Sequence, residues 1–323
     1  MSRVRFIACA AALGVALSGP AFAQDYPVKP IRVVVGFGPG GPTDTIARLL
    51  AEHFQKAWGQ PAVTENKPGA GSNIGADFVA KSAPDGHTLF VGGVGPLSIN
   101  RALYSTLAFD PEKDFALITT IARTPLAFTV NNDVPAKSVP EFIAYAKANP
   151  GKINYSSPGV GASPHLAAEL FRITSGFESQ HAPYRSGPLM LEALVKGEVH
   201  WTFDAPLTAM PQHRNGKARV LALTSGARWA SYPDIPTMAE QGFNDLVVFA
   251  WFALAAPAGT PAAIVAKLNA ETARVLATAE AKQRLAVIGF EPAHLSPAET
   301  VTFTAEERRR WGALIRAQNI RVE

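Results

Sequence analysis

Along the chain, short β-branched apolar runs alternate with stretches whose apolar residues recur every three or four positions, the patterns of strands and of amphipathic helices. Ile31 to Val35 reads as a continuous apolar strand, and Ile46, Leu49, Leu50 and Phe54 fall on one face of a helix from Thr45 to Trp58. Ala62 to Thr64 predicts a second strand, followed by the turn residues Gly69 to Gly71 and a helix through Ala76, Val79 and Ala80. Leu89 to Gly92, Ile118 to Ile121 and Ala127 to Val130 predict three more strands. Ser138 stands where a helix N-cap belongs, and Asn149-Pro150-Gly151 stops that helix after Ala148.

A second unit of the same kind follows. Strands are predicted at Ile153 to Ser156, Gln180 to Ala182, Val199 to Phe203 and Val220 to Thr224, with helices at Pro164 to Thr174 and Pro188 to Val195. Beyond Pro233 the chain reads as a loop until the apolar strand Val247 to Ala255, after which long helices run from Pro261 to Ala277 and Pro297 to Gln318. The alternation implies an α/β protein on mostly parallel sheets. The one basic run, Arg308 to Arg310, is expected on the exposed face of the last helix.

One pattern occurs twice. Val35-Gly36-Phe37-Gly38-Pro39-Gly40-Gly41 leads into Arg48-Leu49-Leu50-Ala51-Glu52-His53-Phe54, and Ser156-Ser157-Pro158-Gly159-Val160-Gly161 leads into His165-Leu166-Ala167-Ala168-Glu169-Leu170-Phe171. Each is a strand, a Pro-Gly loop and a helix start, so two similar domains are expected, each with backbone NH groups at the positive end of a helix. Such an end binds carboxylate or phosphate without a basic side chain. Pro42 suits the first turn of one helix and makes Asp44 a first-turn acid, with two readings open: a cap for free amides, or a group that holds ligand or water. In the second loop Ser163 is the N-cap candidate and Pro164 the first helical residue, beside Ser156, Ser157, Gly159 and Gly161.

The first residues change the compositional picture. Arg3 and Arg5 precede an apolar run from Phe6 to Leu17, too short to span a bilayer, and Ala21-Phe22-Ala23 has the small-x-small form of a signal-peptidase site. Residues 1–23 therefore read as a cleaved secretory leader. With it goes the single cysteine, Cys9, and the basic count falls from 30 to 28 against 26 acidic residues. The exported chain then has no disulfide and a nearly balanced charge, which argues against nucleic acid as a partner. At 323 residues and 47% hydrophobic it is long enough for two cores and too apolar for disorder.

Enzymatic motifs fare poorly. Gly36, Gly38 and Gly41 satisfy G-x-G-x-x-G, and Glu65 follows at a spacing like that of a ribose-binding acid, which keeps a nucleotide-dependent oxidoreductase open. Against it stand Pro39 and Pro42, which remove amide donors, and the secreted location. A secreted hydrolase also stays open, with Ser163 as nucleophile, although Gly161-Ala162-Ser163-Pro164-His165 is not a G-x-S-x-G elbow. No HExxH occurs and the seven histidines are scattered, so neither a metal nor a cofactor is expected and no catalytic residue is assigned.

Further motifs run the length of the chain: Pro39-Gly40-Gly41 with Asp44, Glu65-Asn66-Lys67-Pro68-Gly69-Ala70-Gly71, Ala83-Pro84-Asp85-Gly86, Tyr145-Ala146-Lys147-Ala148-Asn149-Pro150-Gly151, His181-x-Pro183-Tyr184 and Ala256-Pro257-Ala258-Gly259-Thr260-Pro261. In these the chain resembles the periplasmic substrate-binding proteins of tripartite tricarboxylate transporters, the Bug family. The resemblance implies a two-lobed, type II periplasmic-binding fold of the Venus-flytrap kind, each lobe a mixed sheet flanked by helices. It puts the first lobe at residues 24–126 plus 247–323 and the second at 127–246. By position it assigns ligand binding to Phe37, Gly38, Gly40, Gly41, Thr43 and Asp44 in the first loop, and to Ser156, Ser157, Gly159, Gly161, Ser163 and His165 in the second, with Tyr184, Ser186 and Asp204 at the pocket edge.

The resemblance further implies a monomeric, non-catalytic periplasmic receptor. It would take a small carboxylate (a di- or tricarboxylate, amino acid or aromatic acid) and hand it to membrane permease subunits. The family commonly has Pro at Gly36, Gly at Ser186, an acid at Ala193 and Asn at Ala205, so the ligand's identity does not carry over.

Overall fold

The computed structural model describes residues 26–184 and 186–321; the expected leader, residues 1–23, lies outside them. The chain opens with β1 (Ile31–Val35), α1 (Pro42–Trp58), β2 (Ala62–Asn66), a 3-10 turn over Ala70–Ser72, α2 (Asn73–Ala80), β3 (Thr88–Gly93), a π-turn over Gly95–Ile99, α3 (Asn100–Leu103) and β4 (Phe115–Pro125). It continues through β5 (Ala127–Asn131), α4 (Val139–Ala148), β6 (Asn154–Ser157), α5 (Ser163–Ser175), β7 (Gln180–Pro183), α6 (Gly187–Val195), β8 (Trp201–Asp204), α7 (Pro206–Arg214) and β9 (Ala218–Leu223). It ends with β10 (Phe249–Pro257), α8 (Ala262–Ala277), α9 (Ala279–Val287), the short β11 (Glu291–Pro292) and α10 (Pro297–Ala317).

These elements form two sheets, one per lobe. The first has the order β11-β4-β10-β3-β1-β2 and the second β7-β6-β8-β5-β9. β1 runs parallel to β2 and β3, and β6 parallel to β7 and β8. β10 is antiparallel to β3 and β4, and β5 to β8 and β9, so both sheets are mixed rather than mostly parallel. The cause is the route of the chain. It leaves the first sheet through β4, builds the second, and re-enters through β10 from the side on which it left.

Helices cover both faces of β1, which is why Val33, Val34 and Val35 are apolar without alternation, while Arg32 pairs with Glu65 on β2. Val33 and Val35 pack with Ile46, Leu50 and Phe54 of α1 and Leu268 of α8, while Val34 packs with Ala76 and Val79 of α2. In the second lobe Phe128 is fully buried and meets Phe142 and Phe171 edge-on, each at 5.0 Å between ring centroids.

Two elements tie the lobes together beyond the crossing strands. Ile99 and Leu103, which follow β3, belong to the second lobe's core, as do Trp311 and Ile315 of α10, whereas Phe303 of α10 lies against the first lobe's core. This corrects the reading of the basic run. Arg309 is exposed, but Arg308 is only 16% exposed and pairs with Glu112, and Arg310 donates to the carbonyls of Asp245 and Val247.

Periodicity missed the four-residue α3 as well as α7, α9 and the π-turn. α7 carries Pro206 and Pro211 within nine residues, α9 follows α8 after a single residue, and the π-turn is too short to show a repeat. Phe128→Ala should test the aromatic core. Because the ring is fully buried, the cavity left behind should lower unfolding free energy by about 3–5 kcal/mol, read as a lower denaturant midpoint at unchanged slope.

Candidate functional site

Strand direction decides where helices begin. Because β6, β7 and β8 are parallel, α5, α6 and α7 all start at one edge of the second sheet; α1 starts at the matching edge of the first, after β1. All four have Pro in the first two helical positions and none has a side-chain cap. Away from this edge, α4, α9 and α10 are capped by Ser138, Thr278 and Ser296, although α8, at the opposite edge of the first sheet, also lacks a cap. Uncapped first-turn amides in a crevice at the carboxyl ends of parallel strands form a receptacle for an anion.

The first loop is held from within. Asp44 is buried and accepts from the Gly40 amide at 2.9 Å, from Arg48 at 2.9 Å and from Asn66 at 3.0 Å. Burial pulls its pKa up, but these hydrogen bonds outweigh it and hold the carboxyl below its ordinary range. Asn66 also donates to the Phe37 carbonyl at 3.0 Å. The amides of Phe37, Gly38, Thr43 and Asp44 donate to no described residue, and the Phe37 side chain is 43% exposed. The loop is thus a fixed bowl of donors with an aromatic rim.

The second loop is held by imidazoles. His165 Nδ1 accepts from the Gly161 amide at 3.1 Å, and Ser157 Oγ lies 2.7 Å from His181 Nε2 while accepting from the Gly159 amide at 3.2 Å. The two rings stack at 4.2 Å, with Tyr155 at 4.8 Å from His181. Burial pushes both imidazoles down to about 4, the His181 neighbour adding to the shift at His165. Both are therefore neutral near pH 7, as acceptance by His165 Nδ1 requires. Tyr155 donates to Glu169, whose other oxygen binds Arg172 at 2.7 Å.

Ser163 is the first helical residue and Ala162 takes the N-cap position, one residue earlier than expected, with no side-chain cap. Ser156 is buried and its hydroxyl donates to the Met190 carbonyl at 3.4 Å. Tyr184 donates its amide to the Ser157 carbonyl at 2.9 Å, and Ser186 is the N-cap of α6. Asp204 ends β8, buried, accepting from the Ala205 amide and from Thr208 Oγ1; burial nevertheless pushes its carboxyl up to about 6. The two lobes meet at this edge: a side chain on Gly161 would run into Leu103 of α3, and one on Gly289 into Leu207 of α7.

The enzymatic alternatives find little here. Glu65, the candidate ribose acid, is paired with Arg32 at 2.6 Å and Lys67 at 2.8 Å. His165 faces the Gly161 amide instead of Ser163. The serine that does meet an imidazole is Ser157, fully buried, its partner without a carboxylate in hydrogen-bond reach among the described residues. Among those residues no cluster of three metal-ligating side chains occurs, and no helix is long and apolar enough to cross a membrane.

Residues 46–320 match the family model of the tripartite tricarboxylate transporter family receptor. The chain belongs to this receptor family. It is 34% identical to the protein BugT of Bordetella pertussis over 93% of this chain and 92% of that one. Among solved structures it resembles an R. palustris protein with adipate (TM-score 0.81, 35% identity, covering 92% of this chain and 100% of that one). It also resembles MatC from Rhodopseudomonas palustris with bound malate (TM-score 0.76, 34% identity, 90% of this chain and 100% of that one). The receptor fold accounts for the two-lobed architecture and for the helix starts at the lobes' meeting edge.

Sequence reasoning missed Asn66 and His181 as supports of the loops. Both sat inside motifs quoted for the family, but only the fold shows that one reaches the first loop and the other the second. The buried titratable groups give opposite pH slopes. Below pH 6.5 the unfolded chain takes up protons that His165 and His181 refuse, so stability falls as pH drops from 6.5 to about 4. Asp204 instead holds a proton between 3.8 and about 6 that the unfolded chain has lost, so its contribution falls as pH rises through that window. Asp204→Asn should therefore raise the melting temperature more at pH 7.5 than at pH 4.5 relative to the parent, measured by calorimetry across that range.

Proposed function

We propose that the protein is a non-catalytic periplasmic receptor that closes on a small organic carboxylate and delivers it to a membrane permease of the tripartite tricarboxylate type. In this reading residues 24–126 plus 247–323 form one jaw and 127–246 the other, moving about Leu126 and the stretch between β9 and β10. The observation that carries it is the convergence of four uncapped, proline-started helices on one edge. Their amides are oriented before the ligand arrives, so little ordering accompanies binding. Support comes also from the family relatives whose structures hold adipate and malate, both dicarboxylates.

The predicted site residues take distinct parts. Gly38, Gly41, Thr43 and Asp44 offer main-chain donors from the first loop, and Ser163 and His165 do so from the second, while the Gly40, Gly159 and Gly161 amides are taken up within the loops and hold their shape. Ser156 and Ser157 shape the second loop from behind. Phe37 and Tyr184 contribute walls, Ser186 a hydroxyl, and Asp204 a carboxyl whose charge opposes an anion beside it.

A thermal-shift screen of the mature chain tests the reading. Adipate, malate or a related carboxylate should raise the melting temperature, by the equivalent of about 2.7 kcal/mol at about a hundred times its Kd, and neutral sugars should not. The reverse pattern would overturn it. Gly38→Phe is the site test, because a side chain there meets open space and no left-handed backbone is needed. It should leave the free chain's melting temperature unchanged and abolish the shift. Affinity for the anion should rise as pH falls through about 6, where Asp204 loses its charge, and Asp204→Asn should flatten that rise in calorimetric titrations.

A further inference from the structure

A second cavity lies at the hinge, away from all the loops above. It has a volume of about 600 Å³ and is lined by Arg123, Phe249, Trp251, His294, Phe303 and Arg310, among others. That volume is in the range of small-molecule sites. None of its lining residues belongs to the β1–α1, β6–α5 or β8–α7 loops. Its walls come from the end of β4, the start of β10, the segment after β11, and α10.

The walls are aromatic and fixed. Trp251 and Phe303 meet edge-on at 5.1 Å, and Glu307 accepts from both Trp251 Nε1 at 2.9 Å and Trp311 Nε1 at 3.0 Å. The Arg123 guanidinium lies over the Phe249 ring at 4.7 Å and pairs with Glu291 at the rim. Arg310 differs. It donates to the carbonyls of Val247 at 2.8 Å and Asp245 at 2.6 Å, and among the described residues no carboxylate lies within ion-pair distance of it. Burial draws its pKa down, and the charges of Glu307 and Asp245, neither within ion-pair distance, offset that only in part.

We propose that this cavity is a second ligand site, for an amphipathic organic monoanion: an aromatic or alkyl body against Phe249, Trp251 and Phe303, with its carboxylate toward Arg310. A half-buried guanidinium takes a carboxylate through charge-assisted hydrogen bonds, and the rings take the body. Because the two strands that connect the lobes and α10, which rests on both cores, supply the walls, the cavity changes shape when the lobes move. Its occupant therefore biases cleft closure, and a cleft ligand biases occupancy here by the same factor.

The test uses the mature chain with phenylbutyrate as probe and phenylbutanol as its uncharged counterpart. Phenylbutyrate should change tryptophan emission saturably, and phenylbutanol should bind at least ten-fold more weakly. Trp251→Phe should remove most of the emission change while titration calorimetry still records binding. Arg310→Gln should weaken phenylbutyrate at least ten-fold. Should that variant melt early, Arg123→Gln, on the exposed rim, should still weaken it several-fold at a parental melting temperature. In Gly38→Phe the probe should bind as in the parent, which separates this site from the cleft whatever the cleft's own ligand proves to be. Loss of probe binding in Gly38→Phe, an unchanged emission response in Trp251→Phe, equal binding of acid and alcohol, or no saturable binding would each overturn the proposal.

Discussion

An α-helix leaves the NH groups of its first turn without partners, and the rest of this structure depends on where that happens. Four strands deliver their helices to one meeting edge, and no side chain reaches back to the amides at any of the four starts: the N-cap is Gly41, Ala162 or Ala205 at three, and at the fourth the Ser186 hydroxyl makes no cap. Proline at these positions suits the helical φ and lacks the donor that would be orphaned anyway. The donors that remain are held by backbone geometry, which a ligand cannot rearrange. Capping is not lacking in this chain: Ser296 and Glu299 build a full capping box at α10, away from the cleft. The difference places the unsatisfied dipoles where a small anion can answer them.

Donors aimed at a ligand are useful only if the loops that carry them stay in place without it. The first loop meets this with a low-pKa carboxylate, Asp44, tied to three donors. The second meets it with neutral imidazoles, whose acceptor nitrogen serves the Gly161 amide only in the uncharged state. Carboxylate on one side and imidazole on the other give the two jaws different responses to acid. The Asp44 network persists well below neutrality, whereas the stacked His165 and His181 acquire charge in a pocket that disfavours it. Glu169 lies near enough to raise both imidazoles somewhat, yet desolvation outweighs it.

Much of this was legible in the sequence. Every strand and helix proposed from periodicity has a counterpart within a few residues, because the apolar runs at Ile31 to Val35 and Leu89 to Gly92 are buried on both faces and the stripe Ile46, Leu50, Phe54 on one. The two glycine loops were legible as helix starts, and the family motifs gave the two-lobed fold. What was not legible depends on contacts far apart in sequence. Nothing local tells that β10 runs against β3, that Arg310 turns to the carbonyls of 245 and 247, or that His181 meets Ser157. Nor does periodicity find α7, whose prolines deny it a helical signal while Ala209 and Met210 are buried in the small core behind β9.

The departures from the family pattern fall on the same geometry. Gly36 has no left-handed requirement; it is small because the Ser72 hydroxyl occupies its side-chain space, 1.8 Å from where a Cβ would stand. A larger residue at 36 would have to displace Ser72, so these two positions are coupled and the first loop rests on a different floor from one built with proline. Ala205 opens α7 where the family commonly has Asn, and Ala has no side chain that could cap the helix or reach a ligand. Backbone donors recognise a carboxylate but not the body attached to it. In the proposed site, discrimination between one acid and another would fall to side chains such as Phe37, Tyr184, Ser186 and Asp204, which is why the fold carries across the family while the identity of the ligand does not.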